Sequence, residues 1–253
     1  MRGVLVTGAS RGIGRAVALA FASDGDRVAV HYASRRADAE QTLRHLPGTG
    51  HALIAGDLGE PGAAERIVAE AVTQLGGVDV LVNNAAVAPA ASTRHLVADV
   101  ALVDWQRIWR RMLDVNVLGA ADLTWAVARH LIERGAKGSI VNVGSRGAFR
   151  GEPDHPAYGA SKAALHAFGQ SMAVALAPHG IAVTSVAPGF VATERQAAKL
   201  AGSGGDDVRG ESPFGRVGTP EEIAAAVRFL ASPEAAWASG AVVDLNGASY
   251  LRT

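Results

Sequence analysis

Short apolar runs alternate with longer amphipathic stretches along the whole chain. Runs rich in β-branched residues at 4–7, 27–32, 51–55, 78–83, 139–143, 182–186 and 241–245 predict strands. Stretches at 12–23, 36–46, 61–75, 103–134, 156–178 and 220–230 have helical periodicity. Strand then helix, repeated, predicts an α/β protein, because parallel neighbours need a crossover and the crossover helix covers the sheet. The apolar pairs Ile140-Val141 and Val242-Val243 agree, since strands buried on both faces need no polar alternation. No linker, charge block or low-complexity tract divides the chain, so residues 1–253 are read as one domain. The Gly- and Asp-rich stretch 202–210 is expected to be a mobile loop inside it.

Composition removes several kinds of chemistry. The 253 residues carry 24 Lys and Arg against 24 Asp and Glu, so no bulk positive field attracts a nucleic acid. With no Cys there is no disulfide framework, thiol nucleophile, zinc–thiolate site or iron–sulfur cluster. Apolar stretches such as Ala16 to Ala22 fall far short of the roughly 18–20 residues that span a bilayer. No membrane partner and a cytoplasmic location are therefore expected, and the chemistry must come from oxygen, nitrogen or a borrowed cofactor.

The first strand runs into Thr7-Gly8-Ala9-Ser10-Arg11-Gly12-Ile13-Gly14, and a helix begins at its end. Glycines at 8, 12 and 14 allow a tight turn and close backbone approach to a pyrophosphate, and the helix N-terminus offers free N–H groups to it. A Gly-rich turn alone is a weak signal; its position after the first strand strengthens it. At the end of the second strand a dinucleotide site for NAD places an acidic residue for the ribose 2′-hydroxyl. Here the sequence reads His31-Tyr32-Ala33-Ser34-Arg35-Arg36, and Asp24 and Asp26 precede the strand. Ser34 and Arg35, with Arg11 from the glycine turn, suit a 2′-phosphate, because a guanidinium fork matches phosphate oxygens. NADP(H) is thus favoured over NAD(H). The plainer alternative is that Arg35 and Arg36 form a solvated first helical turn.

Tyr158-Gly159-Ala160-Ser161-Lys162 sits early in a long helix, so Tyr158 and Lys162 share a face. An unperturbed Tyr titrates near ~10, and acid–base work closer to neutrality needs that value brought down. An adjacent ammonium is expected to do so by favouring the phenolate. Lys is rare in this chain, three residues against 21 Arg, which makes the spacing more telling. Ser145 follows the strand at 139–143, at the carboxyl edge where α/β sheets bind ligands. Asn116 is an amide in an apolar helical stretch, and its plain reading is a structural hydrogen bond.

Together, Thr7-Gly8-x-x-x-Gly12-Ile13-Gly14, Asp57-Leu58, Asn83-Asn84-Ala85, Asn116, Ser145, Tyr158-x-x-x-Lys162 and Pro188-Gly189-x-x-x-Thr193 resemble the short-chain dehydrogenase/reductase family across essentially the whole chain. The resemblance implies a doubly wound, Rossmann-type sheet of about seven parallel strands, hydride transfer with a nicotinamide cofactor, and a homotetramer. It makes Tyr158 the acid in reduction and base in oxidation. Lys162 would lower its pKa and hold the nicotinamide ribose, Ser145 would position a carbonyl, and Asn116 would help anchor a relay water. Asp57 is expected at adenine, Asn83 at the adenosine ribose, and Val191 with Thr193 at the carboxamide and phosphate end; Leu58, Ala85, Pro188 and Gly189 are expected to contact the cofactor as well.

Two departures matter. Ala86 replaces the glycine of the family's Asn-Asn-Ala-Gly, which predicts a slightly displaced loop. The stretch from Asn83 to Asn116 is also longer than the family's, and ends near Trp105 and Trp109, which are read as packing residues or, more sharply, as the lining of a substrate entrance. Substrate choice should reside in two loops. One holds Arg146, Phe149, Arg150, Glu152, Asp154 and His155, a mixed-charge rim that neither demands nor forbids an anion; the other, residues 190–214, reads as a lid. The substrate is expected to be a small carbonyl or alcohol, with 3-oxoacyl thioesters on a carrier protein as the specific alternative; Arg134, Lys137 and His179 are modest candidates for docking that carrier. A cofactor-binding scaffold without activity is disfavoured by the intact Asn116, Ser145, Tyr158 and Lys162. A sugar-nucleotide epimerase would want more chain after Pro188.

Overall fold

All seven expected strands form, as β1 Gly3–Val6, β2 Arg27–Tyr32, β3 Ala52–Ala55, β4 Val80–Asn83, β5 Gly138–Val143, β6 Ile181–Pro188 and β7 Val242–Leu245. The structure is a computed structural model describing residues 1–252. The strands are parallel throughout, in the order β3-β2-β1-β4-β5-β6-β7. After β1 the chain builds outward through β2 and β3, then returns to place β4 on the other side of β1. Neighbouring connections therefore depart in opposite directions at the carboxyl ends of β1 and β4, leaving a crevice there.

Side-chain alternation fills both faces. Val4 and Val6 join Val28, Val30, Val82 and Val141 on one face, beneath Phe21 of α1 (Gly12–Ser23) and Val227 of α9 (Pro220–Leu230). Leu5 points the other way, with Leu81 and Ile140, beneath Ile67 and Ala71 of α3 (Ala63–Leu75) and Leu123 and Val127 of α5 (Gly119–Glu133). Ile140 and Val141 are thus buried on opposite faces as expected, whereas Val242 and Val243 lie on the edge strand β7 and are only partly buried, because an edge strand has a neighbour on one side alone. The remaining long helices are α2 (Arg36–His45), α4 (Leu102–Leu113) and α6 (Pro156–Leu176). Among the described residues no helix is long and apolar enough to cross a membrane.

Two predicted elements differ. The single helix expected over 103–134 is α4 and α5 joined by a π-helical turn at Asp114–Leu118. At its end the backbone presses on the loop after β3: a Cβ on Gly119 would lie 2.8 Å from the Leu58 carbonyl oxygen. Such wide turns occur where a helix must present a side chain out of register, and this one carries Asn116. The expected loop at 202–210 is instead held by short helices α7 (Ala197–Ala201) and α8 (Gly205–Gly210). Arg209 joins them, pairing with Asp206 at 2.9 Å and donating to the Leu200 carbonyl at 2.8 Å.

Candidate active site

The glycine turn after β1 is built as the sequence required. Gly8 and Gly12 have φ of +63° and +55°, which L side chains rarely adopt, and a Cβ on Gly14 would collide with the Gly8 carbonyl. Side chains outside the motif hold the turn. Asn84 Nδ2 donates to the carbonyls of Thr7 (2.7 Å) and Gly8 (3.1 Å). Thr7 Oγ1 accepts from the backbone N–H of Asn84 and Ala85 at 2.9 and 3.0 Å. His31 is 1% exposed; its Nδ1 accepts from Gly8 N–H at 3.2 Å and its Nε2 donates to Gly56 O at 3.0 Å, roles that require the neutral ring. Burial pushes its pKa down to about 4, consistent with that tautomer.

A cleft of about 920 Å³ runs from this turn to the ends of β5 and β6. It gathers the predicted Gly8, Ser10, Arg11, Gly12, Ile13 and Gly14; Ser34 and Arg35; Asp57, Leu58 and Ala85; and Pro188, Gly189, Val191 and Thr193. Thr193 lies against Gly12, 3.1 Å from where a Cβ would stand, and its buried Oγ1 has no hydrogen-bond partner among the described residues. An unspent hydroxyl beside a helix N-terminus fits the phosphates of a dinucleotide. Arg11 and Arg35 are close enough that, after burial, the charge of Arg35 is the next cause lowering the Arg11 pKa, while Glu194 and Asp38, the latter paired with Arg35 at 3.3 Å, raise it.

Three residues do something other than predicted. Asn83 does not line the cleft. Its Nδ2 turns into the core, donating to Asn142 Oδ1 at 3.0 Å and Thr124 Oγ1 at 3.1 Å, so the expected ribose contact is not made by its side chain. The reason is strand alternation: Asn83 ends β4 pointing inward while Asn84 points to the glycine turn. Asp57 lines the cleft, but its carboxylate is held by Arg111 at 2.6 Å. Asn116 is 2% exposed and stands behind the cleft wall: Oδ1 accepts from Val87 N–H at 2.7 Å, and Nδ2 donates to Val87 O and Ser161 Oγ at 3.0 Å each.

Ser145, Tyr158 and Lys162 do converge on the cleft. Ser145 directly follows β5 and Gly144, and its Oγ accepts from Gly147 N–H at 3.0 Å, leaving its own proton to donate. Gly144 is needed because the ring of His166, one turn after Lys162, occupies the space a Cβ would take. Lys162 is 2% exposed and donates to Val143 O at 2.8 Å. Burial, aided by Arg195, brings its pKa down to about 7. The expectation that Lys162 lowers the Tyr158 pKa is not met by the protein's own groups. Burial raises the phenol, while Arg195 and the Ser145 hydroxyl pull it back. Desolvation disfavours the phenolate and the ammonium alike, and Lys162 is not among the charges that act on the phenol.

The surroundings bear on four further expectations. Ala86 needs no left-handed backbone, since Ala248 is the only non-Gly residue with positive φ among those described, so its Cβ is accommodated without strain. Trp105 and Trp109 do not line the cleft. They pack with each other (5.7 Å between centroids) and Trp105 packs on His95 (5.4 Å). Arg134 and Lys137 precede β5 and His179 precedes β6, at the edge of the sheet opposite the cleft, so they form no docking patch at its mouth. The lid is tied to the rim by Arg146, whose guanidinium bonds Glu211 and Ser249 (2.5 Å) and lies over Phe190 at 5.1 Å. Asn84, His31 and Ser161 were missed by the sequence reading; only Asn84, within the quoted Asn83-Asn84-Ala85, carried a signal there.

With this geometry in hand, the similarities to known proteins are informative. Residues 8–247 match the family described as enoyl-(acyl carrier protein) reductase. An L-rhamnose 1-dehydrogenase (NAD(P)(+)) of a Sphingomonas species is 38% identical over 251 residues, covering 98% of this chain and 96% of that protein. The 3-oxoacyl-(acyl-carrier-protein) reductase of Vibrio cholerae is 35% identical over 255 residues, covering 98% and 96%. A crystal structure of a short-chain dehydrogenase from Burkholderia cenocepacia in complex with NADP superposes with a TM-score of 0.86 at 32% identity, covering 98% of this chain and 97% of that one. Matched over nearly its whole length in sequence and in fold, the chain belongs to the short-chain dehydrogenase/reductase family of oxidoreductases.

Proposed function

We propose that the protein transfers a hydride between NADP(H) and a carbonyl or alcohol substrate, with Tyr158 as the proton-transfer group. The observation that carries this reading is the convergence of Ser145, Tyr158 and Lys162 at one end of a cleft whose other end is the glycine turn. Gly12, Thr193 and the α1 N-terminus would hold the phosphates, and Ser34, Arg35 and Arg11 the 2′-phosphate that distinguishes NADP from NAD. A bound nicotinamide supplies the hydride. In reduction Ser145 donates its free proton in a hydrogen bond to the substrate oxygen, and Tyr158 Oη delivers its proton to that oxygen as the carbonyl carbon gains hydrogen. The C–H and O–H bonds form, the phenolic O–H breaks, the carbonyl is reduced and NADPH is oxidised. Arg195 and the Ser145 hydroxyl, which pull the Tyr158 pKa down, steady the phenolate left behind; Lys162 would hold the nicotinamide ribose, and Asn116, through Val87 and Ser161, positions the helix turn beneath it.

The test is NADPH oxidation against ketones, aldehydes and 3-oxoacyl thioesters, alongside titration with NADP+ and NAD+. Turnover with tighter NADP+ binding is expected; tighter NAD+ binding contradicts the role given to Arg35. The Vibrio cholerae relative favours 3-oxoacyl thioesters as a second reading, although the basic residues considered for carrier docking lie at the wrong edge. The reading extends to a homotetramer, supported by the exposed Leu118 and Trp125 at and within α5 and the exposed Trp237. A one-protomer mass by light scattering would contradict that.

A further inference from the structure

The rim between β5 and α6 contains one charged group that no other protein group pairs among the described residues. Arg146 and Arg150 both engage Glu211, Asp154 pairs with Arg94 at 3.5 Å, and His155 Nε2 bonds the Ala90 carbonyl at 3.2 Å. Glu152 lines the same cleft as Ser145 and Tyr158, is half-buried, and among the described residues its carboxylate has neither an ion pair nor a hydrogen bond. Its place is prepared. A Cβ on Gly147 would collide with Glu152 Oε1, and one on Gly159 would lie 3.5 Å from its Cγ. The carboxylate is therefore seated between the turn that carries Ser145 and the first turn of the helix that carries Tyr158.

The geometry points to Glu152 as a specificity-determining residue for an uncharged, polyhydroxylated substrate, a sugar or polyol, whose hydroxyl beside the reacting carbon donates to its carboxylate. This rests on the hydride-transfer reading above and names its substrate class. A half-buried carboxylate without a protein donor is partly stripped of water, and a ligand that closes over it must bring O–H groups to replace what remains. A 3-oxoacyl thioester presents only acceptors and CH₂ groups next to its reacting carbonyl, and a carboxylate or phosphate there would be repelled. The titratable groups facing Glu152 are Arg146, Arg150, His155 and Lys199, which draw its pKa down while burial, the larger influence, raises it, and Tyr158, whose own pKa the Glu152 charge raises. Of these, Lys199 sits with its ammonium over the Phe190 ring at 4.5 Å rather than on Glu152.

The test measures NADP+-linked oxidation by the full chain on a panel of aldopyranoses and linear polyols, with the deoxy analogue of each substrate turned over. Reduction of plain ketones and a 3-oxoacyl thioester is measured in parallel. Glu152→Gln should raise KM for the hydroxylated substrate about tenfold more than for its deoxy analogue, as for a lost hydrogen bond to a substrate hydroxyl, with the loss falling on KM rather than kcat. In the unsubstituted protein KM for the hydroxylated substrate should rise as acid protonates Glu152, and the Gln variant should lack that rise. An equal change for both substrates, as would follow if Glu152 served only to receive Lys199, overturns the assignment. So does turnover confined to ketones or 3-oxoacyl thioesters. These results leave hydride transfer standing, whereas no NADP(H)-linked turnover of any substrate overturns both readings.

Discussion

Tyr158 and Lys162 meet the same obstacle with opposite charge states. Burial keeps the phenol protonated and pulls the ammonium down to about 7. At neutral pH the site thus holds a ready proton donor, the state carbonyl reduction needs. The sign follows: below the Tyr158 pKa the acid is present, and above it the base is present. Reduction should hold through neutrality and fall in the alkaline range, while oxidation of an alcohol should climb with pH; initial rates in both directions check this, and a reduction rate that rises with pH contradicts it. The spacing of Tyr158 and Lys162 was legible in the sequence because a shared helical face is a local property. Their pKa directions were not, because desolvation is set by everything packed around them. Asn83 and Asn84 make the same point, since a motif names both while strand alternation alone decides which one turns to the cleft.

At the scale of elements, α6, which bears Tyr158, is anchored by the segment between β4 and α4. His95, fully buried, accepts at Nε2 from Ala157 N–H (3.1 Å), one of the orphan donors at the α6 N-terminus, and donates at Nδ1 to Thr93 O (2.7 Å). Asp154 O accepts from His95 N–H at 3.0 Å, so this segment and the rim grip the same helix end. His95→Ala should cost about 2 kcal/mol, as for a buried hydrogen-bonded group replaced by a cavity, and lower turnover by loosening the first turn that bears Tyr158. Denaturant unfolding with parallel kinetics checks both; an unchanged midpoint would remove His95 from this role. The strands could be read because their apolar runs are short and bounded. The break between α4 and α5 could not, because Asn116 interrupts the apolar periodicity no more than an exposed polar residue would. Its reason lies in Leu58, distant in sequence, against which Gly119 packs.

At the scale of the molecule, two buried neutral histidines couple the site to acid stability. His31 braces the glycine turn, and His166, 3% exposed and stacked on Phe149 at 5.3 Å, fills the space beside Gly144. Burial brings each to about 4 from the ordinary 6.5. Folded pKa values lie below unfolded ones, so the unfolded chain binds protons first as pH falls. The contribution is complete above about 6.5 and lost toward 4, about 2 kcal/mol per histidine at pH 5. Urea unfolding at pH 8 and pH 5 should show that drop; a flat dependence would mean the rings accept protons without cost. The doubly wound topology places the glycine turn and Tyr158 at the same sheet edge although they lie far apart in sequence.

On the reading proposed above, this sheet edge is a reductase site whose proton comes from Tyr158. The most direct measurement is NADPH-linked turnover by Tyr158→Phe, with NADPH affinity measured on the same preparation. A fall in kcat of at least about 10²-fold, the scale of lost general-acid catalysis, with NADPH affinity retained is the expected result. Turnover equal to that of the unsubstituted protein would contradict the account.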